Sequence, residues 1–359
     1  MAIVTSKTLS PEICSRVVRW TRRSDLAALC LTCKSFQREA EVKLYETIMS
    51  GSIPVIFRAC LSIASEARLG PYVRSFCVFL DNRRSQQDIS EQFWATVQLA
   101  LSRMRSLEYL LIHDPVYSNG WILGDIAHIP FQLLEARLLF YWDSHLVKFL
   151  ESQNKLKSLH TIDGPDNDAS LQLEAGSLPE LRIFDGTLVA VEPILSVSTN
   201  LTHLQVVLDA ESEGEILTFI PNLSHLALCL RALSILHLPA GVAMEALELI
   251  KSTCPFLHHV GTIPLPMPSR NSNNRFHRAL MAMHHLRTLE VETTAWTPQP
   301  AGVIPRILAA EVRIYCPSIE YICFWMRSGR TLWIVDGNDW SYHSETGQHS
   351  QFDGLWKTR

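Results

Sequence analysis

The chain has 359 residues, a net charge of −4 and 19% charged residues, against 47% hydrophobic ones. That is enough chain for a sizeable core and two domains, and too little basic charge for a nucleic-acid surface. No window approaches 18 uninterrupted apolar residues, so no membrane span is expected.

In chain order, residues 8–48 read as three short helices. Ser10 is a good N-cap, with Pro11 at the first helical position and Glu12 in the first turn. Ile13, Val17, Val18 and Trp20 recur at helical spacing. After the polar break Thr21-Arg22-Arg23, Ser24 or Asp25 can cap a second helix with Leu26, Leu29, Cys30 and Cys33 on its apolar side. A third carries Phe36, Ala40, Leu44 and Ile48 on one face. Forty such residues bury little core alone, so part of this surface is expected to pack on something else. A linking helix follows from Pro54 to Leu69, stopped by Gly70-Pro71, with Leu44 and Ile48 as its packing partners.

From 72 to 325 a short unit recurs, of the form polar–Leu–x–x–Leu–x–apolar. Its first apolar residues are Val73, Leu107, Leu134, Leu156, Leu181, Leu201, Leu223, Leu257, Leu286 and Ile319, in steps of 20 to 34 residues. This near-period is the mark of stacked repeats. Each unit predicts one strand with its apolar positions inward. The long steps hold helices at Ser90–Met104, Ala240–Cys254 and Ala301–Cys316, and Pro179, Pro221, Pro255 and Pro317 end the preceding element. Residues 264–275, with three prolines and a Ser/Asn run, read as a loop. The acids of 209–215 read as N-terminal charge on a helix. The Trp-rich end, 326–359, predicts a strand at Thr331–Val335 and a turn at Asp336–Asp339, a hairpin cap over the last repeat.

The first stretch resembles the F-box, in particular the F-box-like variant common in mushroom-forming (basidiomycete) fungi. The matching residues are Leu9, Pro11, Glu12-Ile13, Val17-Val18, Asp25-Leu26, Leu29, Cys33-Lys34 and Phe36, with Thr21 and Arg22 where the family usually has Leu and Pro. The repeats resemble leucine-rich repeats in a degenerate form. Together they imply an α/β fold with four parts: an F-box-like module at 8–48, a link at 49–71, a repeat solenoid at 72–325 and a cap at 326–359. The solenoid would carry a parallel sheet on its concave face and helices outside. The resemblance also implies docking on a Skp-type adaptor, and through it a cullin, by Leu9, Pro11, Ile13, Val17, Leu26, Leu29 and Phe36. The repeat arc would then hold a protein substrate for ubiquitin transfer. The alternative is an interaction scaffold outside any ligase, in which these helices only cap the solenoid.

No P-loop, dinucleotide fingerprint or nucleophile elbow is present, and no enzyme activity, cofactor or metal is expected. His258-His259 and His284-His285 sit at polar strand-start positions and lack the spacing of a zinc set. Cys30 and Cys33 have redox spacing but lie on an apolar helix face with no strand before it, so they read as core. Tyr141, Trp142, Asp143 and Trp296 fall near strand ends and are either core or part of the substrate face. Arg22-Arg23 and Arg83-Arg84 read as solvated turns. The nine cysteines, an odd number mostly in apolar runs, and an N-terminus without a signal-peptide core place the expected location in the cytoplasm and/or nucleus. A monomer is expected outside the complex.

Overall fold

A computed structural model describes residues 9–79, 89–124, 129–161, 171–209, 214–267, 270–337, 339–345 and 354–358. Arg83-Arg84 and residues 210–213 of the acidic run lie outside these. The chain divides into two compact units, Met1–Leu178 and Pro179–Arg359.

The first unit opens with helices α1 (Pro11–Trp20), α2 (Arg23–Cys30) and α3 (Lys34–Glu46). Val18, Leu26 and Ala40 form their core, with Leu29, Cys30, Phe36 and Leu44 packed around it. The break at residue 21 is closed by side chains. Lys43 Nζ donates to the carbonyls of Val18 (2.9 Å), Arg19 (2.8 Å) and Thr21 (3.1 Å), the exposed acceptors at the end of α1. Arg23 does the same for α3 through the carbonyls of Leu44 and Thr47. α2 therefore starts at Arg23, with Arg22 and neither Ser24 nor Asp25 in the N-cap position. Cys33 is exposed at the N-cap position of α3, off the helix face on which it was expected.

α3 runs straight into strand β1 (Thr47–Ser50), which pairs in parallel with β2 (Ser75–Phe79). The link thus begins inside a strand, and α4 spans Ile53–Ser65, shorter than the expected Pro54–Leu69. β3 (Tyr109–His113), β4 (Glu135–Leu139) and β5 (Ser158–Thr161) follow in parallel and in chain order. α5 (Glu91–Leu101), capped by Ser90, and α6 (Ser144–Glu151) lie between them in sequence.

The second unit repeats the scheme. β6 (Ile183–Thr187), β7 (His203–Val207), β8 (Ala232–Leu236), β9 (His259–Pro264), β10 (Thr288–Glu292) and β11 (Tyr321–Met326) are parallel neighbours in chain order. Helices α7 (Leu188–Val197), α8 (Ile216–Phe219), α9 (Ala243–Thr253), α10 (Arg270–Ala282) and α11 (Ile304–Tyr315) separate them. β12 (Gly329–Asp336) and β13 (Asp339–Glu345) add an antiparallel hairpin to β11, and a short helix α12 (Leu355–Thr358) ends the unit.

The repeat has a strict geometry. A buried apolar residue lies two positions before each of the strands β2–β11, as Leu107 before β3, Leu201 before β7 and Leu286 before β10. The carbonyl after it accepts two amides from the next repeat: Arg74 from Glu108 and Tyr109, Arg231 from His258 and His259, Arg287 from Glu320 and Tyr321. Two expected units are corrected by this rule. Leu133 is the buried residue before β4, whereas Leu134 is exposed. The unit at Asn222 is a 3-10 turn, Ile220–Leu226, and the strand is β8, set by Leu230. Apolar residues three apart serve a 3-10 turn as well as a strand approach, and Pro221 suits the start of such a turn. The expected loop at 264–275 is likewise shorter, because α10 already begins at Arg270.

Candidate functional site

α1 carries two apolar stripes. Cys14 and Val18 face the module's core. Ile13, Val17 and Trp20, spaced so as to share a neighbouring stripe of the helix, and Leu9 just before it are 51%, 43%, 84% and 49% exposed. Leu31, just beyond α2, is 89% exposed. Pro11 starts α1 and is exposed. The other expected docking residues sit differently. Leu26 is fully buried, and Leu29 and Phe36 are half-buried against it. Leu26 cannot touch a partner in this arrangement; it holds α2 against α1 and α3, so its place in the docking set is corrected to a core role. Sequence spacing pointed to Trp20 only as another periodic residue, and Leu31 was missed because it falls in the turn after α2.

The helix that carries the exposed stripe is tied to α3, and α3 to the segment beyond α4. Lys43 fixes the end of α1, while Glu41 of α3 accepts from Gln37 (2.9 Å) and pairs with Arg68 beyond α4. An apolar strip on so small a module is the kind of surface that marks a protein contact.

The strand face of the first unit is the second surface. Alternate residues point outward: Tyr109, Leu111 and His113 on β3, Glu135, Arg137 and Leu139 on β4, all half-exposed. Met49 and Phe79 add exposed apolar area. The Phe79 and His113 rings lie 5.3 Å apart, and Arg137 donates to Glu135 at 3.0 and 3.1 Å. Burial raises the Tyr109 hydroxyl above its ordinary value, with the Arg137 guanidinium opposing it. Such a surface offers apolar patches around an ion pair, suited to non-covalent recognition.

The four expected substrate-face residues lie past the strand ends. Trp142 is buried and its indole N–H donates to the Leu171 carbonyl at 2.9 Å. Asp143 caps α6 by accepting from the amides of His145 (2.9 Å) and Leu146 (2.8 Å). Tyr141 is half-buried beside Tyr117, ring centres 5.9 Å apart. Trp296 is buried and donates to the Leu265 carbonyl at 2.6 Å. Of the two readings left open by the sequence, the structural one applies to both tryptophans, and the face is made instead by the residues within the strands.

A cavity of about 390 Å³ lies among α5, the 3-10 turn Gly120–Leu123 and α6, lined by Leu99, Leu101, Ile122, Phe131 and Phe149. Its walls carry no acid, base or cysteine among the described residues. Nor is any group of three or more His, Cys, Asp or Glu placed to hold a metal ion among them. Cys30 and Cys33 are free thiols. No helix among the described residues is long and apolar enough to cross a membrane.

No protein-family model matches this chain, and no curated protein matches it. Among solved structures it is similar to the leucine-rich repeat-containing protein LegL7 from Legionella pneumophila. The identity is 12% over 80% of this chain and 87% of that one, with a TM-score of 0.45.

Proposed function

We propose that this chain is the substrate-recognition subunit of a cullin–RING ubiquitin ligase of the SCF type, working in the cytoplasm and/or nucleus. It docks on a Skp-type adaptor through the outward stripe of α1, Leu9, Ile13 and Val17 with Pro11 at its start, and Trp20 and Leu31 extend the contact. Leu26, Leu29 and Phe36 support that stripe from within. Ubiquitin chemistry belongs to the partner subunits, and this chain raises the local concentration of target lysines. The observation that carries the reading is the second apolar stripe of α1, which the helical module leaves exposed although its own core is complete.

One observation favours a scaffold outside any ligase. α3 passes directly into β1, the first strand of the sheet, and Glu41 ties it to Arg68, so the helices are continuous with the start of the repeats, as an end cap would be. Both roles fit one module, since α3 leads into the first strand while the stripe is on α1.

Co-expression with a Skp-type adaptor and a cullin separates the two. The receptor reading expects all three to co-purify, and expects Val17→Asp to release the chain from the adaptor while leaving it folded. A native complex without adaptor and cullin would make it a scaffold. Leu26→Asp is a poor choice for this test, because a buried aspartate would unfold the module.

A further inference from the structure

The strand face of the second unit is not open like that of the first. Outward positions of β8 and β9 are buried: Ala232 and Ser234, then His259 and Gly261. The cover is α12, which lies close over β7, β8 and β9. Its Leu355 and Trp356 are buried, Leu355 clustering with Cys323 and Leu332, and Lys357 Nζ stands 5.0 Å from the Trp356 ring centre.

The floor beneath is built unlike the other repeats. Ala232, Ser234 and Gly261 are small, which lets a covering backbone approach. A Cβ at Gly261 would lie 2.6 Å from Ser234 Oγ and 2.9 Å from His259 Nε2. β9 bulges opposite Glu290, where Thr262 holds φ +56°, a conformation that a β-branched residue rarely takes. Thr262 Oγ1 donates to the Ile235 carbonyl at 2.9 Å and lies 3.1 Å from Ser234 Oγ. His259 is fully buried, and neither ring nitrogen has a hydrogen-bond partner among the described residues, Glu290 Oε1 being 3.4 Å away. A buried, unpaired imidazole under a short helix is a mismatch that another occupant can relieve by hydrogen-bonding to it.

We infer that the face of β7–β9 is a recognition site for a segment bearing an adjacent aliphatic–aromatic pair, and that the chain's own Leu355-Trp356 tail occupies it as a built-in competitor. This rests on the receptor reading above. The partner segment presents the same pair together with a polar group that reaches His259, which α12 does not supply. Binding therefore exchanges one apolar cover for another and pairs the imidazole.

The probe is a fluorescein-labelled peptide of residues 352–359, Phe-Asp-Gly-Leu-Trp-Lys-Thr-Arg, titrated into full-length wild type and Trp356→Ala protein. The expected result is at least tenfold tighter binding to Trp356→Ala, and none when the peptide's own tryptophan is replaced by alanine. Equal binding to both proteins, or binding to neither, overturns the inference. If Trp356→Ala does not fold, wild-type protein decides. Excess unlabelled peptide of residues 352–356, which carries no trypsin site, must then speed tryptic cleavage after Lys357, and an unchanged rate overturns it. Adaptor binding, measured in parallel, reports on the receptor reading separately.

Discussion

Lys43 shows how one side chain can set a module's geometry. It satisfies three carbonyls at the end of α1 where no glycine or C-capping turn is present. Hydrogen bonds to a charged donor are worth about 1.5–3 kcal/mol each at most, and shared ones less. Lys43→Met is therefore expected to lower stability by about 1–3 kcal/mol in urea unfolding, and Leu26→Ala, which empties the centre of the three-helix core, by about 2–5 kcal/mol. His259 acts in the opposite sense, as a liability. Burial first, then the nearby charge of His203, pushes its imidazole down from 6.5 to about 3. The unfolded chain takes up a proton below pH 6.5 while the folded one does not until about pH 3, so stability is present above pH 6.5 and falls through that window. His259→Phe is expected to flatten the pH dependence of urea midpoints between pH 6 and 4 by about one proton, roughly 1.4 kcal/mol per pH unit. An unchanged slope would mean that the ring is not neutral in the fold.

At the level of elements, the repeat strands were legible because an inward-facing strand and its approach impose apolar residues at fixed offsets, as in Leu107, Leu110 and Ile112. The Asn222 unit matched the same offsets for a different reason: Leu223 and Leu226 are buried three apart on a 3-10 turn, while β8 owes its place to Leu230, Leu233 and Ile235. α10 was hidden by its Ser/Asn start, although Phe276, Ala279, Leu280 and Met283 are buried at helical spacing. The bulge in β9 left no clear mark at Gly261, which the structure packs tightly against Ser234 and His259. Gly261→Ala should force Ser234 or His259 to move and destabilise the second unit by about 1–3 kcal/mol, seen as a lower melting temperature with Gly241→Ala, in the same unit and with nothing within 4 Å, as the control.

Across the whole chain, what the sequence displayed was local and periodic, and what it withheld was contact between distant segments. α1 and its outward stripe could be read from Ile13 and Val17. The burial of Leu26, the core roles of Trp142 and Trp296, and the return of Leu355 and Trp356 to β7–β9 depend on packing partners that no local pattern announces. Burial on both sides of β8 and β9 also means that the two units present different surfaces: one strand face is open and the other is covered by the chain itself. Docking through α1 is most directly tested by calorimetric titration of a purified Skp-type adaptor into wild-type, Ile13→Asp and Val17→Asp protein. Docking predicts a one-to-one complex with the wild type and at least a tenfold loss of affinity in each variant, with melting temperatures unchanged because both positions are exposed. Absence of binding by the wild type, or equal binding by all three, would contradict it.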